Sequence, residues 1–272
     1  MPLLASVQFP SALLVMSANS ESPALAPAET RSVSVALAVF NGAEFLPQQL
    51  ESLVANLRPG DEIIAVDDVS TDDSVAILKG CPWPDLTVIR HDRNQGVFAA
   101  FETALKAAKH DIVFLCDQDD VWLPGKRDAF VREFEADADC KAVVSDVEVI
   151  DGEGKVLLES FMATRDGFKG DPLSTFSRNR FLGCAMAIHC SILDLALPVP
   201  GVVPMHDMWF GIMAGLSGNV RYIDRVLMQY RRHGANTSIG RTGNALQIIW
   251  RRMCLSAGLL LRAPRIARAV LT

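Results

Sequence analysis

The 272-residue chain is 50% hydrophobic and 21% charged, which supplies enough apolar surface for one large core or two small ones. A net charge of −6 argues against nucleic acid as a partner, since a polyanion binder carries a basic excess. That charge is unevenly spread: residues 241–272 hold six arginines (Arg241, Arg251, Arg252, Arg262, Arg265, Arg268) and no acid, leaving the remainder at −12.

Six cysteines (Cys81, Cys116, Cys140, Cys184, Cys190, Cys254) form no Cys-x-x-Cys pair, so reduced thiols in a cytoplasmic protein are expected rather than a disulfide framework. No uninterrupted run of about 18 apolar residues predicts a transmembrane helix. Residues 1–30 are rich in Ala, Ser and Pro, and their short apolar stretch (11–16) lacks a preceding Lys or Arg. They read as a disordered leader or an early start codon, not as a signal peptide.

From Arg31 the pattern becomes regular. Residues 33–39 form an apolar strand, Asn41-Gly42 a turn, and residues 43–57 an apolar-periodic helix. A second strand over 63–66 ends in Asp67-Asp68, and Ser70-Thr71-Asp72-Asp73 offers caps for a helix reaching Lys79. A third strand (86–89), a helix (96–109) and a fourth strand (112–116) follow. Pro124 is expected in the first turn of the next helix. Alternating strands and helices predict a mostly parallel sheet covered on both faces. Beyond Ala142 the rhythm loosens, with strands at 142–144, 185–188 and 220–223 and a helix at 207–216. A domain over 31–240 and a helical tail over 241–272 complete the expected organisation. The tail helix is expected over 245–261, with Pro264 interrupting it. Its Leu and Trp residues beside arginines suit the headgroup layer of an anionic membrane, or packing on the domain or on a second copy.

Three acidic clusters could carry chemistry. Asp67-Asp68 could be a helix cap alone. Asp117-Gln118-Asp119-Asp120 is harder to reduce to a turn, because crowded carboxylates at the end of a buried strand repel unless a cation compensates them. The carboxyl rim of a parallel sheet is also where such folds bind ligands. His206-Asp207 sits in apolar surroundings, where a structural pair is equally plausible. Neither a Gly-x-x-x-x-Gly-Lys nor a Gly-x-Gly-x-x-Gly motif is present, so bound phosphates would need a metal.

Residues 35–42 (VALAVFNG), 66–72 (VDDVSTD), Asn94-Gln95-Gly96-Val97 with Phe101-Glu102, residues 114–124 (FLCDQDDVWLP), Met205-His206-Asp207 and residues 230–238 (YRRHGANTS) occur in family order. Across residues 32–240 the chain resembles family 2 glycosyltransferases of the GT-A fold, and in particular their rhamnosyltransferase-like branch. That resemblance implies an inverting, metal-dependent transfer of a sugar from a nucleoside-diphosphate sugar (dTDP-rhamnose or a UDP-hexose) to a saccharide or lipid-linked acceptor. The setting it implies is cell-surface polysaccharide assembly at the inner face of the cytoplasmic membrane, with Mg²⁺ or Mn²⁺ as cofactor. It assigns Phe40, Asn41, Glu44, Asp68, Asn94, Gly96, Asp117 and Asp146 to the donor. Asp119, Asp117 and His233 would hold the metal, and Asp207 would be the catalytic base. Gly183, His206 and Trp209 would line the sugar and acceptor pocket. Two positions depart from the family: Val69 replaces the usual Gly after the Asp pair, and His110 replaces a frequent Gly. Two other readings remain. A haloacid-dehalogenase-type phosphohydrolase also places Asp-x-Asp after an apolar strand, and a catalytically silent sugar-nucleotide or membrane-binding module could share the tail.

Overall fold

The first strand, β1 (Val33–Val39), is buried at every position. Its alternating residues enter two different cores, Val35, Leu37 and Val39 on one face and Ala36 and Ala38 on the other. The computed structural model describes residues 31–234 and 245–271. The leader over residues 1–30, the boundary near residue 240 and motif positions 235–238 lie outside the described residues.

Helix α1 (Leu46–Asn56), strand β2 (Glu62–Asp67), helix α2 (Ser74–Gly80), strand β3 (Leu86–Arg90), helix α3 (Val97–Ala107) and strand β4 (Ile112–Asp117) follow in the expected sequence. These four strands are parallel in the order β3-β2-β1-β4. The chain leaves β1 toward one side and returns through α3 to the other, so the order reverses between β1 and β4. Such a reversal opens a crevice at the carboxyl ends of the two strands. In register, Val39 lies beside Asp67 and Ala38 beside Asp117, which brings three loops to the same rim.

The second half contains β5 (Val121–Trp122), α4 (Lys126–Ala136), β6 (Cys140–Ile150), β7 (Val156–Leu158), α5 (Pro172–Ser177), β8 (Met186–His189), α6 (Leu193–Ala196), α7 (His206–Ser217), β9 (Asn219–Arg231) and α8 (Ala245–Leu271). β8 is antiparallel to both β4 and β6, β9 runs parallel to β6, and β5 and β7 pair antiparallel with β9 and β6. The sheet is therefore mostly parallel, as expected, with β5, β7 and β8 opposed.

Three boundaries differ from the sequence reading. Pro124 precedes α4 rather than opening it, because Val121-Trp122 stay extended to pair with Gln229 and Met228 and Gly125 turns the chain at φ 84°. β6 and β9 run well beyond 142–144 and 220–223, since their mutual ladder satisfies the backbone through polar positions such as Glu148 and Gln229. α8 continues through Pro264 to Leu271. Its inner face packs on the domain: Leu255 is fully buried, and a Cβ on Gly258 would lie 2.8 Å from Val203 and 3.4 Å from Trp209. Its outer face exposes Leu246, Ile249, Trp250, Met253 and Leu260.

The loop after β2 keeps the shape that a glycine would give it. Val69 sits at φ 68°, a left-handed conformation that a β-branched side chain adopts at a cost of about 1–3 kcal/mol. Val69→Gly is expected to raise unfolding stability by about 1 kcal/mol, the relieved strain less the greater entropy of glycine in the unfolded chain. A urea denaturation midpoint that fell instead would show the turn to be unstrained.

Candidate active site

The loop after β1 is held from two directions. Asn41, at φ 48°, accepts from the Thr71 amide (2.8 Å), and its own amide donates to Ser70 Oγ (2.9 Å). The amides of Gly42 and Ala43 donate to Ser74 Oγ and Asp72. From β4, the Gln118 side chain pairs with both backbone groups of Phe40, accepting from its amide (2.8 Å) and donating to its carbonyl (3.0 Å). Gly42 is needed for this approach, since a Cβ there would sit 2.3 Å from Gln118 Oε1. The Phe40 ring and Glu44 are left exposed at the crevice rim.

Asp68 is nearly buried and accepts from the amides of Gln95 (2.9 Å) and Gly96 (2.6 Å) and from His91 Nδ1 (2.7 Å). Burial pushes its carboxyl up, but these donors outweigh that effect and hold it below the usual range. The cap alternative for Asp68 is thus half right: it anchors the amino end of α3, not α2. Asn94 Nδ2 donates to the Asp68 carbonyl (3.3 Å).

The acidic turn after β4 divides its carboxylates among different partners. Asp120 is buried and accepts from the Arg231 amide (2.9 Å), while Arg231 Nε donates to the Asp119 carbonyl (2.9 Å). Asp119 Oδ2 lies 2.8 Å from His233 Nε2, and Phe45 packs on the His233 ring. Burial and the neighbouring charges of Asp119 and Asp207 push the Asp117 carboxyl up to about 7. Beneath the turn Lys126 is fully buried, donating to the Cys184 carbonyl (2.7 Å) with its ammonium 4.4 Å from the Trp122 ring centre. Burial lowers it to about 8.

Asp207 opens α7. Its Oδ1 accepts from the Met208 amide (2.6 Å) and its Oδ2 from Asn179 Nδ2 (3.2 Å), and burial pushes its carboxyl up to about 6. The preceding His206 ring lies between Phe98 and Phe101, and burial lowers it to about 4, so it is neutral. A Cβ on Gly183 would lie 2.8 Å from His206 Nε2, so a glycine is required for this contact.

The structure brings Asp117, Asp119, Asp207 and His233 close together, with Gly183 and His206 beside Asp207. It places two expected site residues elsewhere. Trp209 is fully buried, with Nε1 donating to the Ala196 carbonyl (3.0 Å); two helical positions beyond Asp207 turn it about 200° around α7, into the core. Asp146 is committed to Ser160 Oγ and the amides of Val147 and Met162, fixing the chain after β7. Asn41 and Asp68 brace the loops after β1 and β2. Among the described residues, one group of three candidate ligands converges within 4.8 Å: Asp117, Asp120 and Cys184. It suits a hard cation poorly, because burial keeps the Cys184 thiol protonated and Asp120 is sealed beneath the turn. All six cysteines are unpaired. Sequence reasoning missed Gln118, Lys126 and Arg231. The only signal for Gln118 and Arg231 was their place inside quoted motifs, and Lys126 had none, since a lysine or arginine is read as surface by default.

The family model described as glycosyl transferase family 2 matches residues 34–194, more than half of the chain. The chain belongs to glycosyl transferase family 2. An uncharacterized glycosyltransferase of Nostoc sp. is 28% identical over 217 residues, covering 75% of this chain and 66% of that protein. WfaP of Escherichia coli, a UDP-Glc:alpha-D-GlcNAc-diphosphoundecaprenol beta-1,3-glucosyltransferase, is 31% identical over 94 residues, covering 35% of this chain and 38% of its own. This family 2 chain thus spans two thirds or less of the length of these relatives. Residues 1–349 of TarS of S. aureus, in a complex with UDP, superpose with a TM-score of 0.62 at 18% identity, covering 88% of this chain and 69% of that TarS chain. That likeness shows the GT-A fold. With the Asp-x-Asp turn on the fourth strand of a family 2 domain, the phosphohydrolase alternative is set aside.

The raised carboxyl of Asp207 has a definite sign in stability. The folded state keeps this proton up to about pH 6, whereas an unfolded Asp releases it near 3.8. Its stabilising contribution is therefore present below about pH 4 and lost as pH rises through 6. Asp207→Asn should gain stability relative to the parent by about 2–3 kcal/mol between pH 4 and pH 7.5, measured by urea denaturation at both ends. Parallel pH profiles for the two proteins would show that Asp207 is not perturbed.

Proposed function

We propose that this family 2 chain is an inverting glycosyltransferase. It moves a sugar from dTDP-rhamnose or a UDP-hexose to a hydroxyl of a saccharide or lipid-linked acceptor in cell-surface polysaccharide assembly. The observation that carries this reading is the pairing of Asp207 with the acidic turn. A carboxylate raised to about 6 stands close enough to Asp117 for their charges to interact. A base with that affinity for protons can take one from an attacking hydroxyl near neutral pH. A single displacement assisted by one base inverts the anomeric configuration.

Around it, the Phe40 ring and Glu44 offer an exposed edge for the nucleotide at the reversal between β1 and β4, and Gly96 and Asn94 border the same loop cluster. Gly183, having no side chain, lets its backbone pack close against His206 and Asp207, where the acceptor hydroxyl would approach. Mg²⁺ or Mn²⁺ fits the donor set. Burial, then the carboxylates near it, push Asp117 up, a deficit that a cation relieves, and two carboxylates with an imidazole suit these metals. Asp119, Asp117 and His233 would hold the ion. Bound there, it would supply positive charge for the diphosphate and the departing nucleoside diphosphate.

The name of WfaP supports a UDP-glucose donor and an acceptor on a lipid diphosphate, and the resemblance to rhamnosyltransferases supports dTDP-rhamnose. Release of nucleoside diphosphate from dTDP-rhamnose, UDP-glucose, UDP-galactose and UDP-GlcNAc, with and without Mn²⁺, tests the reading and selects the donor. Asp207→Asn is expected to lose at least 10³-fold in turnover with donor affinity within twofold, and Asp119→Ala to lose Mn²⁺-dependent donor binding. A protein that binds none of these nucleotides would instead be the silent module.

Location at the inner face of the cytoplasmic membrane is part of the same proposal. Among the described residues, no helix is long and apolar enough to cross a membrane. The outer face of α8, with Trp250 62% exposed beside Leu246, Ile249, Met253 and Leu260, suits the headgroup layer. Deleting the tail would uncover the core at Trp209, so substitutions on the outer face are the cleaner test. Trp250→Glu with Leu260→Glu is expected to weaken binding to phosphatidylglycerol vesicles at least tenfold at unchanged melting temperature. Unchanged vesicle binding would remove this face from the membrane.

A further inference from the structure

Four arginines outside the acidic crevice have no role in the chemistry above. Arg165 ends the short turn Met162–Arg165, Arg178 and Arg180 flank Asn179, and Arg232 follows the end of β9. The first two segments are tied together. Arg180 Nε donates to the Arg165 carbonyl (3.3 Å), and Arg178 donates to the Thr164 carbonyl (3.3 Å) and pairs with Asp166 (3.2 Å). Arg165 stacks over Phe161, and Arg232 lies over Tyr230. Partial burial, then the charges of Arg178, Arg232 and Arg180, hold the Arg165 guanidinium below the ordinary arginine range. Arg178 and Arg232 are exposed, Arg165 is half-buried, and Arg180 is only 6% exposed. Its buried Nη1 has no hydrogen-bond partner among the described residues.

Crowded cations with an unsatisfied buried donor are costly unless a ligand supplies negative charge and acceptor oxygens. Arginine forks match the oxygens of phosphate in particular. The position of the cluster says which substrate would bring them. Asn179, between two of the arginines, donates to Asp207 Oδ2, so the cluster adjoins the base rather than the Phe40 rim. Only Arg232, next to His233, approaches the acidic turn.

We propose that Arg165, Arg178, Arg180 and Arg232 form a binding site for a phosphate or diphosphate ester carried by the acceptor. The inference rests on the assignment of Asp207 as the base that faces the acceptor. The same chemistry could come from the diphosphate of the donor, and the two sources separate by experiment. Titration calorimetry of the full chain would measure UDP with Mn²⁺, then geranyl diphosphate in the presence of saturating UDP, at fixed ionic strength. Arg178→Ala and Arg232→Ala, both at exposed positions, should fold normally, and their melting temperatures check this. Geranyl diphosphate is expected to bind alongside UDP and to weaken at least tenfold in each variant, while UDP affinity changes less than twofold. No binding of geranyl diphosphate at millimolar concentration, or binding undiminished in both variants, would overturn the site. A tenfold loss of UDP affinity with geranyl diphosphate unaffected would overturn its assignment to the acceptor. Failure of UDP to bind the parent protein would count against the transferase reading alone. The titration with geranyl diphosphate by itself would still decide the arginine site.

Discussion

The compensation of carboxylates packed at the end of β4 is the constraint on which the rest of the site depends. Asp120 lies beneath the turn with Arg231 donating through its backbone amide, and the Arg231 guanidinium holds the Asp119 carbonyl, the Asp151 and Gly152 carbonyls and Gln48. Lys126 adds a buried positive charge under the same turn. Removing one partner from such an arrangement leaves an uncompensated buried charge, at a cost of about 3–5 kcal/mol. The acidic turn is therefore as rigid as the strand that delivers it, although its residues are formally a loop.

Rigidity spreads outward through side chains that bridge loops. Gln118 welds the turn to the backbone of Phe40, and Asn41 welds that loop to the one after β2. Asp68 continues the series to the amino end of α3. Each bridge spans a large separation in sequence, so the crevice is assembled only when the sheet is complete. Preorganisation of this kind means that little conformational entropy is left to lose when a ligand binds.

Much of this was legible in the sequence where a residue's role followed from its own segment. The apolar runs 33–39, 63–66 and 112–116 are buried strands because both faces of a parallel sheet are covered there, whereas 86–89, broken by Thr87, is the half-exposed edge strand. Asp119 and His233 were each singled out by their motifs, and the fold sets them 2.8 Å apart. The lengths of β6 and β9 were not, because polar residues there are satisfied by pairing with a distant partner. The fates of Asp146 and Trp209 were equally hidden. One depends on a turn 14 residues away, and the other on which face of α7 meets the core. Lys126 and Arg231 look like surface residues until the acids around them are placed. Residues whose function is to balance another charge carry no local signal of their own.

The contacts of α8 join its outer face to the proposed acceptor side of the crevice. Gly258 and Leu255 seat the helix against Trp209 and the core around α7, whose first turn carries Asp207. Arg252 donates to the Ser177 carbonyl, immediately before Arg178, and also reaches Met208 Sδ. Arg262 and Arg265 hold the carbonyls of Pro198, Asp194 and Leu197. Three tail arginines are thus spent on fixing the helix to the domain, so the proposed attraction of α8 for a surface would fall to its apolar residues more than to its charge. A helix locked in this way cannot swing independently of α7. Any surface that engages Trp250 and Leu260 would therefore hold Asp207, and the arginines beside Asn179, at a fixed height above it. That geometry suits an acceptor whose phosphate is anchored in the same surface as the enzyme, because both partners are then confined to one plane before they meet.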